Sequence, residues 1–266
     1  DDVLSMCFLT FFNGKKPVLF PDITYSFYSV WADLYRIPYE KQKLDDNMKI
    51  VPEDYYKENG GVIFPNPNAP TGLSMDLDSV RDIIEHNKDV VVIVDEAYID
   101  FGGVSAKDLV NEYDNVLVVQ TFSKSRSMAG MRIGYAFGSK ELIKALNDVK
   151  FSFNSYTMNM TSIDMGVASI NDKKYFEECV ERITATRERT KEELTKLGFT
   201  FPDSKANFIF ATHKSVPAKE IFEKLKDLNI FVRYFAQPGI DNYLRITIGT
   251  DEQMDKLISA LSEIVG

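Results

Sequence analysis

Cysteine and histidine are nearly missing from this 266-residue chain: Cys7, Cys179, His86 and His213 are all it has. Neither cysteine sits in a CxxC or metal-ligand spacing, which excludes a disulfide scaffold and points to a reducing compartment, most simply the cytoplasm. Two scattered histidines exclude a histidine metal site, and no metal is expected. No apolar run is long enough to span a bilayer, so a membrane is not an expected partner. A basic stretch leading into an apolar core, the mark of a secretory leader, is also missing. Positive charge is short as well. Lys and Arg total 31 against 40 Asp and Glu, a net charge of -9. That balance, with a pI near 4.9, argues against nucleic acid as a partner but leaves room for a local basic pocket. Internal repeats and low-complexity tracts are absent.

Hydrophobic residues make up 44% and charged residues 27%, the balance of a soluble globular protein with a large buried core. The opening Asp1-Asp2-Val3-Leu4 has no Met and runs straight into a helical pattern, so the chain reads as a fragment whose N-terminus lies upstream. The pattern predicts a buried helix over 2–12, stopped by Asn13-Gly14. Strands are expected at 17–20, 35–39, 62–64, 90–94, 116–120 and 132–137. Helices are expected at 76–87, with Asp76 or Ser74 as cap, and at 140–149. Continuous apolar runs such as Val90–Val94 suit central strands of a parallel sheet. The alternation reads as an α/β fold, a mostly parallel sheet with helices on both faces. Beyond about residue 155 the style changes. A helix over 173–197 is stopped by Gly198. A strand at 207–211, a helix at 218–228, strands at 230–233 and 244–248, and a helix at 252–264 follow. This is a smaller C-terminal α+β unit, so the expected domains are 1–160 and 161–266.

Three expected strands end in polar clusters: NPNAPTG at 66–72, Asp95-Glu96-Ala97-Tyr98, and Thr121-Phe122-Ser123-Lys124. Ligands of open α/β sheets bind at the carboxyl ends of the strands, so an amide, a carboxylate and an amine are expected to meet in one crevice. Ser123 and Arg132 can hold a phosphate while Lys124 bonds an aldehyde on the same molecule. An amine nucleophile must be deprotonated, and burial beside a cation favours that. Arg suits the phosphate because its planar fork engages two oxygens. A bare Ser-Lys pair is more often an ordinary surface loop. Asp95, at the end of five apolar residues, is costly if buried alone. It is either a helix N-cap or the partner of a pyridinium N–H, which it keeps protonated. Tyr25, in TYSFY after Pro21, is either core or a stacking face for a flat ring.

Taken in order, NPNAPTG, VIVDEAY, TFSK and AGMR resemble the fold-type I pyridoxal-phosphate aminotransferases, most closely their histidinol-phosphate branch. The likeness extends over the whole chain, including KANFIF, NIFVR and YLRITIGT. It implies pyridoxal 5′-phosphate as cofactor and Lys124 as the Schiff-base lysine and proton shuttle. It implies Asp95 on the pyridine nitrogen, Tyr98 on the phenolic oxygen, Ser123 and Arg132 on the phosphate, and Tyr25 on the ring face. Asp1 looks like the last residue of a phosphate loop. Arg233 and Arg245, assisted by Asn207, look like ligands for substrate anions; their alternative is strand arginines paired with surface acids. The implied reaction exchanges an amino group between histidinol phosphate and glutamate or 2-oxoglutarate in a homodimer. Aromatic or branched-chain aminotransferases, threonine-phosphate decarboxylases and a non-catalytic cofactor-binding remnant share the same motifs. The chain departs from the pattern at Ala69, where the family has Asn before Pro-Thr-Gly, so the amide contact to the cofactor either falls to Asn68 or is absent.

Overall fold

A computed structural model describes residues 1–266. Six strands form the larger sheet: β1 (Val18–Pro21), β2 (Tyr39–Gln42), β3 (Gly61–Pro65), β4 (Val92–Asp95), β5 (Val116–Thr121) and β6 (Gly134–Gly138). Their order is β2-β1-β3-β4-β5-β6. All neighbours are parallel except β5 and β6, which run antiparallel. Alternate side chains of a strand face opposite ways, and here both faces are buried. Phe20, Ile63, Ile93, Leu117 and Val119 meet α1 (Asp2–Phe11), α2 (Phe27–Tyr35) and the partly buried side of α4 (Lys140–Phe153). Leu19, Val62, Phe64, Val92, Val94, Val116 and Val118 meet α3 (Leu77–His86) and the 3-10 turn at Ala106–Asn111. Helices therefore cover both faces, as expected. Asp76 caps α3, its side chain accepting from the Ser79 N–H.

Two expectations fail locally. Residues 35–38 are not strand: Tyr35 ends α2, and β2 starts at Tyr39. The reason is spacing. Tyr28, Trp31, Ala32 and Tyr35 stand at i, i+3, i+4 and i+7, a helical stripe that overrides the β preference of aromatics. Arg36, left-handed at φ 58°, ends the helix. Likewise, the strand expected at 230–233 shrinks to β9 (Arg233–Tyr234). Ile230 N–H bonds back to Leu225 O at 2.9 Å, so this stretch closes the preceding helix.

From residue 160 the chain adds α5 (Met160–Asn171) and α6 (Lys173–Lys196), the latter stopped at Gly198 with φ 85°. A second, antiparallel sheet follows in the order β7-β8-β10-β9. It consists of β7 (Phe199–Thr200), β8 (Phe208–His213), β10 (Leu244–Thr247) and β9, backed by α7 (Ala218–Asp227) and α8 (Asp251–Val265). Ile209, Ala211, Leu244 and Ile246 pack with Ile221, Leu225, Leu257 and Leu261 in a core of their own. No helix is long and apolar enough to cross a membrane.

Candidate active site

Parallel strands put β3, β4 and β5 side by side with their carboxyl ends on one edge, and register pairs Pro65 with Asp95 and Asp95 with Val119. A cavity of about 360 Å³ opens there. Its walls include Asp95 from the end of β4, Tyr98 beyond it, Ser123 and Lys124 after β5, Arg132, and Tyr25. The start of α1 closes one end with Asp1, Asp2, Val3 and Leu4, so a helix N-terminus, which favours anions, stands on the same side as Arg132.

Asp95 is 4% exposed. Its Oδ2 accepts from Tyr28 Oη at 2.7 Å and its Oδ1 from the Ala97 N–H at 3.2 Å. Burial pushes this carboxyl above the usual aspartate range, opposed by those two hydrogen bonds and then by the positive charge of Lys124. The ammonium of Lys124 lies 5.1 Å from the centre of the Tyr98 ring. Its loop is fastened on both sides. Ser125 donates to Asp100. Arg126 donates to Ser169 O at 2.7 Å and stacks on Phe176. Arg132 adopts the left-handed region at φ 55°, and its Nη1 donates to Ala129 O at 3.0 Å. Arg132 Nη2 donates to Asp1 Oδ2 at 3.2 Å, while Tyr25 Oη donates to Asp1 Oδ1 at 2.7 Å. A carboxylate thus already lies on the guanidinium expected to bind phosphate. Burial and the Asp95 charge push the Tyr25 phenol up.

Asn68 is not brought to the cavity. Its amide donates to Ile23 O at 2.9 Å and its carbonyl accepts from Thr24 Oγ1 at 3.0 Å, so it is spent on bracing its own turn. Ala69 lines the wall instead. Gly72 ends that turn at φ 77°, and a Cβ there would meet Ser204 Oγ at 2.3 Å, so only glycine lets the two segments close.

Arg233, Arg245 and Asn207 do not line the cavity; Arg245 is linked to it through Phe208. Tyr98 meets Phe208 edge-on at 5.1 Å, and the Arg245 guanidinium lies 5.2 Å from the Phe208 ring. Arg233 pairs across the strands with Arg245 and lies over Phe235. Neither arginine belongs to any ion pair of the protein. The Arg245 Nε is buried without a hydrogen-bond partner. Asn207 sits beside them, its carbonyl accepting from the Ile248 N–H at 2.9 Å.

Sequence reasoning missed three groups. Tyr28 reaches Asp95 only because α2 is a helix there. Glu96 is 1% exposed. It accepts from Ser105 Oγ at 2.6 Å, Ala106 N–H at 2.6 Å and Gln120 Nε2 at 2.7 Å. Burial pushes its carboxyl up against those bonds. Gln120, which lines the cavity, also accepts from Tyr135 Oη at 2.8 Å. The adjacent acids of Asp95-Glu96 were the available signal for this network.

The donor set fits pyridoxal phosphate. It offers an amine, a buried carboxylate, phenols, and at one end a hydroxyl, a guanidinium and a helix N-terminus. Comparison with known proteins points the same way. Residues 1–261 match the family model described as aminotransferase class I and II. A histidinol-phosphate aminotransferase of Clostridium beijerinckii is 53% identical over 265 residues, covering 100% of this chain and 74% of that protein. One from Lactococcus lactis subsp. cremoris is 50% identical, covering 99% of this chain and 74% of its own length. Among solved structures, the histidinol-phosphate aminotransferase of Clostridium acetobutylicum superposes with a TM-score of 0.90 at 24% identity, over 98% of this chain and 81% of that one. That of Sinorhizobium meliloti, in complex with pyridoxal-5′-phosphate, gives 0.89 at 21%, over 99% of this chain and 74% of that one. These two structural likenesses speak to the fold.

Proposed function

Because the chain belongs to the class I and II aminotransferases, we propose that it is a pyridoxal-phosphate transaminase exchanging the amino group of histidinol phosphate with 2-oxoglutarate, and of glutamate with the matching keto phosphate. The observation that carries this is the placement of Lys124, Asp95 and Arg132 around one cavity. The identity of about one half to curated histidinol-phosphate aminotransferases supports the substrate.

When bound, the cofactor supplies an electrophilic carbonyl and a protonated ring that accepts the electron pair released at the substrate's Cα. Asp95 holds the proton on the ring nitrogen. Tyr98 would hydrogen-bond the ring oxygen, and Tyr25 would pack against the ring. Ser123, Arg132 and the N-terminus of α1 bind the phosphate, for which the Asp1 carboxylate must leave Arg132. Lys124 would hold the cofactor through its amine, and the same amine, when free, would take up the proton that leaves the substrate's Cα. Arg233 and Arg245, free of acid partners, receive the phosphate of one substrate and the carboxylate of the other, with Asn207 beside them. Such a pair accepts either anion because guanidinium forks suit both.

Residues 151–170 expose an unusual amount of apolar surface. Phe153, Tyr156 and Met160 are 75%, 94% and 80% exposed, and Ile163, Val167 and Ile170 follow along α5. Patches of this kind mark association surfaces, and the occupant in this reading is a second copy of the chain. Cys7 and Cys179 are both free thiols, which agrees with a cytoplasmic setting.

The test is an amino-exchange assay with 2-oxoglutarate on histidinol phosphate, phenylalanine and threonine phosphate, using protein first shown by sedimentation to be a dimer. Histidinol phosphate should react fastest. Arg245→Ala should lower its kcat/KM at least about thirtyfold, the usual consequence of removing one member of a buried charge contact. No transamination of histidinol phosphate, with turnover of either competitor, overturns the substrate assignment.

A further inference from the structure

Tyr28 has no place among the groups that touch a cofactor, yet it is tied to one of them, Asp95. Its side chain is 0% exposed. Four aromatic rings enclose it, Phe8, Phe20, Tyr25 and Trp31, with centroids at 6.0, 5.8, 5.7 and 6.4 Å. A buried phenol needs a partner for its O–H, and the one it has is Asp95 Oδ2, 2.7 Å away on a strand 67 residues along the chain. The other carboxylate oxygen is held by the backbone N–H of Ala97 at 3.2 Å. One bond to each oxygen restrains the plane of the carboxylate and leaves a free lone pair on each oxygen, on a residue that lines the cavity.

We propose that Tyr28 is a positioning residue for the transamination reaction: its hydroxyl locks the Asp95 carboxylate in the orientation that meets the cofactor's ring nitrogen and keeps the proton on that nitrogen rather than on the acid. The inference rests on the reading of the cavity as a pyridoxal-phosphate site. The physical reason is simple. An O–H donated to a carboxylate stabilises its charged form, and a carboxylate that stays charged leaves the shared proton on the ring. Without the donor, Asp95 gains basicity and rotational freedom together, and the ring loses part of its power to take up electrons. The other groups facing Asp95 are the thiol of Cys7 from α1, Tyr25 ahead of α2, and Lys124 after β5. None of them hydrogen-bonds Asp95, so none substitutes for the phenol.

The experiment compares the full chain with Tyr28→Phe, which keeps the ring packing, and with Tyr28→His, which restores a donor on a smaller ring. In cofactor-free protein, isotope-edited infrared titration follows the Asp95 carboxyl, identified by its loss in Asp95→Asn. In the loaded protein, the NMR signal of a labelled ring nitrogen reports its protonation. Tyr28→Phe should retain the fold by circular dichroism. Its Asp95 should bind the proton about tenfold more tightly, and its ring-nitrogen signal should move toward the unprotonated value. Its kcat should fall about tenfold with KM nearly unchanged, the pattern of an interaction made in the transition state. Tyr28→His should recover part of each change, and it carries the comparison if Tyr28→Phe does not fold. An Asp95 titration identical in wild type and Tyr28→Phe overturns the proposal. So does an unchanged ring-nitrogen signal and kcat. A wild-type protein that binds no pyridoxal phosphate defeats the functional reading instead, and the cofactor-free titration then still decides whether Tyr28 governs Asp95.

Discussion

Asp95 shows what a functional residue costs the molecule that carries it. Its carboxyl is buried and raised above the ordinary aspartate range despite two hydrogen bonds. An acid raised on folding favours the folded state below its unfolded pKa, and that contribution is lost as pH climbs through the folded value. Cofactor-free Asp95→Asn should therefore be more stable than wild type at neutral pH, with the advantage disappearing below about pH 4, where wild-type Asp95 is neutral too. Thermal melts at a series of pH values check this; an advantage that grows toward acid contradicts it. At this scale the sequence was informative wherever a polar residue directly follows an apolar strand. Lys124, Asp95, Ser123 and Arg132 carry their chemistry in their order along the chain, and all four line the cavity. Tyr28 and Gln120 were illegible because their roles depend on the phase of a helix and on which strand lies beside which. Asn68 had the right chemistry in the right turn, but its amide is occupied by Ile23 and Thr24.

Elements meet at a few polar fasteners, and Arg187 is the one deeply buried cation among them. It lies on α6 at 4% exposure, and its Nη1 donates to Phe101 O at 2.8 Å and Ala206 O at 2.9 Å. One carbonyl belongs to the turn after Tyr98; the other precedes β8, which carries Phe208 toward Tyr98. Arg187→Ala leaves two buried carbonyls without a donor and should cost about 3 kcal/mol, read as a lower urea midpoint. Arg187→Lys should recover less than half, since a single ammonium cannot reproduce the planar fork. Equal midpoints for all three proteins would show that water replaces the guanidinium. The elements themselves were mostly legible from their hydrophobic period. The strand expected at 35–39 failed because the aromatics of 25–35 suit either period locally, and the burial of Tyr28, Trp31 and Ala32 against α1 decides for a helix.

On the scale of the whole molecule, the division of labour follows from topology. A parallel sheet gathers strand ends into one crevice, and the antiparallel unit carries Arg233 and Arg245 on neighbouring strands. The alternation of runs and helices announced both sheets. It did not announce the apolar surface of α5, because Ile163, Val167 and Ile170 have the same composition as a core helix and differ only in having nothing over them. The account as a whole turns on one amine reaching one carbonyl. Borohydride reduction of the protein loaded with pyridoxal phosphate, followed by peptide mass spectrometry, measures that directly. The predicted result is a single stable pyridoxyl adduct on Lys124, absent from Lys124→Ala. An adduct confined to other lysines, or none at all, would contradict the account.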